Sequence, residues 1–289
     1  MLTTHTNMSI IKKFFLASRY DKPHGILLLY FPCIWGINLN DVNTTNDIFL
    51  YIIFLIGACG MRALGCLWND FNDKDFDIKV KRTKSRLIAS KKITNKTIVI
   101  FCFINGCIGS VPLYFIPINS IITSLSILPI IIIYPFMKRF TWWPQLWLGI
   151  CFNWGVLVGF SVYDYNLFNL ELILFYVGSV FFTIGYDTIY GFQDIKDDEK
   201  IGIKSTSIKF KSNAKLFLFI IYFIAFSFWT SSLVLLHNSI LTLAIFIFLC
   251  LLILIKVLLT NTKEPNECKK TFIYNSYFSL GVIFVLIGA

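Results

Sequence analysis

The stretch that decides the fold is NDFNDKDFD, which runs from Asn69 to Asp77 and carries four aspartates in nine residues. It comes at the end of a strongly apolar segment that includes FLYIIFLIGACG at 49–60. Carboxylates on one side of a helix repel each other, by roughly 3 kcal/mol for a pair at ~6 Å in an effective dielectric of about 20. Folding gains nothing from this arrangement, so the stretch indicates a binding site for positive charge.

The rest of the chain is typical of a membrane protein. Of its 289 residues, 56% are apolar and 15% are charged, whereas a soluble domain has roughly 25% charged residues. Apolar segments that cross lipid must be helical, because unpaired backbone groups are costly there. We therefore predict an all-α fold, a polytopic membrane helical bundle of about nine transmembrane helices. The predicted spans are 24–40, 47–67, 97–116, 118–136, 143–163, 170–190, 214–236, 238–260 and 271–288.

The positive charges predict the orientation of the bundle. With the N-terminus inside, every one of the 26 Lys and Arg residues falls in an inner segment, as the positive-inside rule expects. The net charge of +10 is therefore a topology signal, and no nucleic-acid partner is predicted. We expect a cytoplasmic interfacial segment at 1–23 and a single transmembrane domain at 24–289 with inner loops at about 69–96 and 191–213. The short segment before the first span favours the bacterial inner membrane over the mitochondrial one.

Helical spacing gathers the polar residues of the first inner loop. At 100° per residue, four side chains fall within an arc of about 100° if the helix continues past the membrane: Asn69, Asp70, Asp73 and Asp77. Asp75 falls on the far side. Oxygen ligands without His or Cys suit Mg²⁺, which usually takes one or two carboxylates together with phosphate oxygens. The spacing therefore predicts a magnesium site.

The second inner loop has the same character in YDTIYGFQDIKDDEKIGIKS, residues 186–205. Asp194 and Asp198 lie about 40° apart on a helix, and Asp187 shares their face only if the helix runs through Gly191. Two acidic clusters on one side of the membrane predict two ions that clamp one diphosphate. The basic residues that follow the aspartates are candidate anion contacts: Lys81, Arg82, Lys84, Arg86 and Lys204.

The residues alone leave alternatives open. One acidic cluster after a span is often a solvated loop, but two clusters with similar spacing favour a site. A transporter of lipid diphosphates would bind the same ligand without breaking a bond, whereas a scaffold protein gives no reason for stacked carboxylates. An EF-hand is excluded for the first loop because DKDFD lacks the central Gly. The spans are nearly free of acids, which argues against a cation channel.

On these motifs the chain resembles the UbiA superfamily of intramembrane prenyltransferases. The family's NDxxDxxxD motif is matched at 69–77, and its DxxxD motif is matched at 194–198. Three flanking strings resemble the branch that prenylates 4-hydroxybenzoate in ubiquinone biosynthesis: DKPHGILLL, KRFTWWPQLWLG and YDTIYGFQDIKDDEKIGIKST. One departure follows the first motif, where RLIASKK lacks the usual proline and places Lys91 where Gly is common.

The resemblance implies a Mg²⁺-dependent transfer of a polyprenyl group from polyprenyl diphosphate to the ring carbon ortho to the hydroxyl of 4-hydroxybenzoate. Another aromatic acceptor is the alternative within the family. The implied metal ligands are Asn69, Asp73, Asp77, Asp194 and Asp198. The implied catalytic residues are Asp70, Asp73, Asp77, Asp194, Asp198, Asp187 and Tyr190. The implied substrate-binding residues are Lys84, Arg86 and Lys204 for the diphosphate, and Arg62 or Arg139 for the carboxylate of the acceptor.

Overall fold

The computed structural model describes residues 8–40, 47–236 and 239–288, and within these ranges the chain is helical and contains no strand. The predicted all-α fold class is confirmed. The α-helices of the described residues are α1 (Ile10–Ala17), α2 (Pro23–Asn38), α3 (Asp47–Asp77), α4 (Asn95–Gly109), α5 (Ile118–Ser126), α6 (Leu128–Phe140), α7 (Pro144–Phe160), α8 (Leu170–Gly191), α9 (Ile195–Ile201), α10 (Thr206–Lys209), α11 (Ala214–Leu235), α12 (Ile240–Leu259) and α13 (Pro265–Ile287).

These helices make the chain a multi-pass membrane protein. In the described ranges, seven helical segments are long and apolar enough to cross a bilayer. Helices α2 and α7 coincide with most of the predicted first and fifth spans, but with 16 and 17 residues they are shorter than those spans. The exact number of crossings and the inside position of the N-terminus stay predictions. Residues 1–7 of the predicted interfacial segment and the first residue of the span at 238–260 lie outside the described residues.

The outer surface of the bundle is apolar. Ile11 on α1, Phe103 on α4 and Leu241 on α12 are each at least 70% exposed. Soluble monomers rarely expose large contiguous apolar patches, so a surface covered by such side chains requires lipid around it. Helix α1 is amphipathic, as interfacial helices are, because it carries exposed apolar side chains next to Lys12 and Lys13.

Aromatic rings fill the centre of the bundle. Trp35 of α2 and Trp229 of α11 meet edge to face, with ring centroids 5.4 Å apart, and both are at most 1% exposed. Each indole N–H is satisfied, by Ser279 O at 3.2 Å for Trp35 and by Phe175 O at 2.9 Å for Trp229. Such pairs add packing energy beyond area burial, and both of these buried indole donors are paired. This core joins α2, α8, α11 and α13 into one block.

Two glycines bring α2 and α7 into close contact. A Cβ atom at Gly36 would lie 2.0 Å from Val156 O, and one at Gly159 would lie 2.1 Å from Cys33 O. Small residues allow the backbones of membrane helices to approach, which replaces the hydrophobic driving force that lipid does not provide. Helices α2 and α7 are thereby fixed as neighbours on one side of the large cavity described below.

Candidate active site

The first acidic motif lies on the last turns of α3. This helix has 31 residues, whereas about 20 are enough to cross the hydrocarbon core, so its C-terminal end extends beyond the apolar stretch. Asp70, Asp73 and Asp77 are 5%, 1% and 8% exposed, and Asp75 is exposed to solvent. The predicted helical face is therefore present, with Asp75 on the opposite side.

Basic side chains from three other segments pair with these buried aspartates. Arg19, in the turn after α1, forms an ion pair with Asp70. Arg86 Nη1 lies 3.1 Å from Asp70 Oδ1 and 2.7 Å from Asp77 Oδ2. A further cation, Lys138 at the end of α6, pairs with Asp73. These cations offset the repulsion that the aspartates would otherwise cause in the protein without ligands.

Asp73 is the carboxylate best suited to a further cation. Apart from the Lys138 ion pair, neither of its oxygens has a hydrogen-bond partner among the described residues. Buried polar atoms are normally satisfied, and one that is not calls for an explanation. Over the same residues no group of three His, Cys, Asp or Glu side chains is gathered closely enough to hold a metal by itself. The donor set fits Mg²⁺ in its type, since it consists of oxygens that leave room for phosphate ligands.

The second acidic motif lies in a turn and a short helix. Helix α8 ends at Gly191, so it does not run on to Asp194, which precedes α9. Asp187 consequently stays on α8. Asp194 is bound by Arg82, whose Nε lies 2.8 Å from Oδ1 and 2.9 Å from Oδ2. Burial, followed by the nearby charge of Asp194, raises the pKa of Asp198 to about 7, and a bound cation would favour its charged form.

The two inner loops contact each other directly. Arg82 of the first loop donates from Nη1 to the Tyr190 hydroxyl at 2.9 Å and lies over the Tyr190 ring, 5.1 Å from its centroid. The Lys81 N–H donates to Asp197 Oδ2 at 2.8 Å. The separate acidic clusters that the sequence predicted are thus brought to one place.

A buried polar network fixes the end of the second loop. Gln145 Oε1, on α7, accepts a hydrogen bond from Thr206 N at 3.1 Å, and the Thr206 hydroxyl lies 2.6 Å from the Thr188 hydroxyl. Ser207 Oγ donates to the Thr188 carbonyl at 2.8 Å. These contacts join α7, α8 and the second loop, and they give a structural reason for Gln145 in KRFTWWPQLWLG and for Thr206 at the end of YDTIYGFQDIKDDEKIGIKST.

A cavity of about 1720 Å³ connects the two motifs with the apolar interior. Apolar side chains of α5 and α6, among them Leu125, Leu128 and Ile131, line it on one side. Predicted site residues that line it are Arg62, Asn69, Asp70, Asp73, Asp77, Arg82, Arg86, Asp187, Tyr190, Asp194, Asp198 and Lys204. A charged end and an apolar body suit an amphiphilic ligand with an anionic head.

Arg62 lies in the wall of this cavity. Its Nε donates to Gly25 O at 3.2 Å, and its guanidinium lies 5.6 Å from the centroid of the Phe152 ring. A Cβ atom at position 25 would come within 2.9 Å of Arg62 Nε, so the glycine leaves the space that the guanidinium occupies. Its positive charge also attracts the carboxylate of Asp187 electrostatically. This guanidinium is therefore placed to pair with an anionic group of a ligand inside the cavity.

Three predicted residues lie elsewhere. Lys81, Lys84 and Arg139 are exposed and do not line the cavity. Arg139 donates to Asn72 O at 2.9 Å, and its guanidinium lies 5.2 Å from the ring centroids of both Phe76 and Phe136. Lys204 does line the cavity, and its ammonium donates to Phe140 O at 3.3 Å.

The sequence did not identify Arg19 or Lys138 as site residues. Arg19 is only two residues from the DKPHGILLL string, and Lys138 begins KRFTWWPQLWLG. Their pairing with Asp70 and Asp73 joins positions 51 and 65 residues apart in the chain. The flanking strings were the available signal, but the partners follow only from the fold.

A polytopic helical bundle with two acidic motifs at one end of an apolar cavity is the architecture that the resemblance to the intramembrane prenyltransferases predicted. The UbiA prenyltransferase family model matches residues 29–281, and the chain belongs to this family. The family that the motifs indicated is confirmed.

The chain is also similar to curated relatives. It is 37% identical over 287 residues to the mitochondrial 4-hydroxybenzoate polyprenyltransferase of Dictyostelium discoideum, an alignment that covers 96% of this chain and 60% of the relative. The chain spans between about half and three fifths of the length of the curated relatives it matches.

Solved structures share the fold. The apo UbiA homologue from Aeropyrum pernix K1 superposes with a TM-score of 0.70 at 20% identity, covering 91% of this chain and 95% of that one. A UbiA homologue from Archaeoglobus fulgidus bound to GPP and Mg²⁺ superposes with a TM-score of 0.68 at 15% identity, covering 96% and 100% of the two chains.

Proposed function

We propose that this protein transfers a polyprenyl group from polyprenyl diphosphate to the ring carbon ortho to the hydroxyl of 4-hydroxybenzoate, in ubiquinone biosynthesis. The observation that carries the proposal is the meeting of both acidic motifs at the charged end of one apolar cavity. Relatives named 4-hydroxybenzoate polyprenyltransferase support the choice of acceptor. The family homologue bound to GPP and Mg²⁺ supports the choice of donor and ion.

The acidic motifs would hold two magnesium ions. Asn69, Asp73 and Asp77 would bind one ion, with Asp70 in support, while Asp194 and Asp198 would bind the second or orient the acceptor. Magnesium, when bound, supplies positive charge that neutralises the diphosphate as it leaves.

The basic residues of the inner loops would receive the diphosphate. Arg86 is already beside Asp77, and Lys204 lines the cavity. Lys84 is the third proposed contact and lies on the exposed side of its loop. The C–O bond to the prenyl group breaks, the diphosphate leaves with the electron pair, and the apolar walls surround the allylic cation.

The acceptor would bind beside Arg62, whose guanidinium would pair with the carboxylate of 4-hydroxybenzoate. Arg139 is the second candidate for this contact. The ring carbon ortho to the phenol attacks the allylic cation, a C–C bond forms, and the ring proton then leaves. Asp187 and Tyr190, which line the same cavity, are the groups proposed to guide that proton away.

The proposed organisation has an interfacial segment at 1–23 and one transmembrane catalytic domain at 24–289, with catalytic loops at about 69–96 and 191–213. The amphipathic α1 supports the first part. A quinone-synthesising membrane is the proposed location, in the lipid that also dissolves the prenyl donor. The bacterial inner membrane remains the location predicted from the sequence, while the names of the curated relatives favour the mitochondrial one. Fractionation of source cells decides between them.

A membrane assay with radiolabelled 4-hydroxybenzoate, a polyprenyl diphosphate and Mg²⁺ tests the proposal. We expect label to enter a lipid-soluble product and EDTA to stop the reaction. Asp73→Ala should lower the rate by at least about a hundredfold, as expected for loss of a group that stabilises developing charge. Asp75→Ala is the matched control, because it removes an aspartate from the exposed side of the same helix.

Two results would contradict the proposal in different ways. Full activity of Asp73→Ala would remove the metal assignment. Binding of the diphosphate without product, in protein that is inserted in the membrane, would exclude 4-hydroxybenzoate as acceptor. A screen with other aromatic acceptors, and a vesicle transport assay, would then separate the two alternatives.

A further inference from the structure

Helix α4 carries a fully buried amide, Asn105, which is 0% exposed and lies in the apolar part of the helix, after its polar first turn. Polar side chains inside a membrane bundle are costly unless they are partnered. Here every hydrogen-bonding group is used. Nδ2 donates to Ser18 Oγ at 2.9 Å and to Phe101 O at 2.8 Å, and Oδ1 accepts from the Tyr20 hydroxyl at 2.7 Å.

The two partners outside α4 flank one residue, Arg19. Ser18 caps the C-terminus of α1, and Tyr20 lies further along the turn that leads to α2. Arg19 between them has φ of 57°, in the left-handed region that residues other than glycine rarely adopt. Its conformation must be imposed by the surroundings. The amide of Asn105 holds the side chains on both sides of it.

The side chain of Arg19 reaches from this turn to the first acidic motif. It pairs with Asp70 and lines the large cavity. A reversal of the backbone at residue 19 would send the guanidinium away from α3. The conformation of the turn therefore decides whether a fixed positive charge stands beside Asp70.

We propose that Asn105 is a positioning residue that acts through Arg19: by binding Ser18 and Tyr20, it keeps the guanidinium on Asp70 and so shapes the diphosphate end of the cavity. An amide suits this position because it donates on one side and accepts on the other. Aspartate offers no donor when ionised, and leucine offers neither. The inference rests on the proposed function for the nature of the ligand, a diphosphate.

The test measures the Kd of geranyl diphosphate in the presence of Mg²⁺, by calorimetry on the full chain in lipid nanodiscs. Asn105→Leu and Arg19→Gln should each raise this Kd by about tenfold, because the diphosphate loses a charged group held in place. The double variant should bind no more weakly than Arg19→Gln alone, since Asn105 acts only through that side chain.

Asn275→Leu is the matched control. Asn275 is an equally buried asparagine on α13, where it accepts from the Tyr222 hydroxyl at 2.7 Å and donates to Thr271 O at 2.8 Å, and it does not line the cavity. It should lower the melting temperature as Asn105→Leu does, without changing the Kd. Tyr20→Phe removes a single hydroxyl and should shift the Kd in the same direction as Asn105→Leu, even if the leucine variant does not fold.

Several results would overturn the inference. An unchanged Kd in both Asn105→Leu and Tyr20→Phe would do so, as would effects of Asn105→Leu and Arg19→Gln that multiply to about a hundredfold in the double variant. An equal rise of the Kd in Asn275→Leu would show general loosening instead. The binding assay needs no acceptor, so a protein that binds geranyl diphosphate but prenylates no 4-hydroxybenzoate would contradict the proposed function and still test this inference.

Discussion

The ammonium of Lys138, at the end of α6, forms an ion pair with the carboxylate of Asp73, near the end of α3, a side chain that is 1% exposed. The lysine stands where the first acidic motif is most deeply buried and where carboxylate oxygens lack hydrogen-bond partners within the described part of the chain. A positive charge at this place stabilises the motif when no ligand is bound. It also competes with any metal ion for the same carboxylate.

Replacing Lys138 by methionine should therefore raise the affinity for a divalent ion in the absence of diphosphate. Removal of one positive charge near the ion lowers the electrostatic cost of binding, and we expect a gain of about tenfold. The measurement is titration with Mn²⁺ followed by electron paramagnetic resonance at pH 8.

Lys211→Met is the control for the lysine replacement. Lys211 pairs with Glu199 on an exposed surface, where its side chain is 56% accessible. The Lys211→Met variant loses the same positive charge, but from the second loop, and it should bind Mn²⁺ with unchanged affinity. Weaker Mn²⁺ binding in Lys138→Met would show that Lys138 supports the ion instead of competing with it.

The position of Arg62 in the cavity wall predicts which arginine recognises the acceptor. Arg62→Met should raise the KM for 4-hydroxybenzoate by at least about tenfold, because a charged hydrogen bond to the carboxylate is lost. Arg139→Met, outside the cavity, should leave that KM unchanged. Steady-state kinetics with the prenyl diphosphate held at saturation measures the difference.

A phenol without the carboxylate completes this experiment. It should react equally slowly with wild type and Arg62→Met, since neither protein can form the ion pair. If Arg139→Met raises the KM for 4-hydroxybenzoate and Arg62→Met does not, the acceptor binds at the other face of the inner loops.

How far the sequence predicts this site depends on how local each feature is. The common face of Asp70, Asp73 and Asp77 follows from the period of a helix, and it was predictable once α3 was assumed to extend past the membrane. The end of α8 at Gly191 is also a local feature, and the sequence identified that glycine as the residue at which the helix either continues or ends. By contrast, the pairs of Arg19 with Asp70 and of Lys138 with Asp73 join distant segments, so they depend on helix packing that no periodicity encodes.

The network around Gln145 predicts how the second loop is held in place. Gln145→Leu leaves the buried Thr206 N–H without its acceptor, which should cost about 1–3 kcal/mol of the free energy of unfolding. The loop between Asp194 and Thr206 should then open locally and be cut faster by a protease. Limited proteolysis with mass spectrometry of the fragments measures the rate at this loop.

Asn153→Leu is the matched control for the loop experiment. Asn153 is another buried amide on α7, but its Nδ2 donates to Thr183 Oγ1 on α8 at 2.7 Å and to Gly149 O on α7 at 2.8 Å, so its described hydrogen bonds stay within the two helices. It should destabilise the bundle without speeding cleavage between Asp194 and Thr206. Equal cleavage in both variants would mean that the network serves general packing only.

Lys91 adopts φ of 56° in the turn after the first motif, at the position where glycine is common in the family. A left-handed conformation costs a residue with a side chain about 1–2 kcal/mol, and glycine avoids this cost while it loses about 0.5–1 kcal/mol through greater freedom in the unfolded chain. Lys91→Gly should therefore raise the free energy of unfolding by up to about 1 kcal/mol, measured by denaturant titration in detergent.

Lys92→Gly is the neighbouring control. Lys92 is also exposed and does not have positive φ, so glycine should only lower stability there. A loss of stability in both variants would show that Lys91 makes a favourable contact that outweighs its backbone conformation.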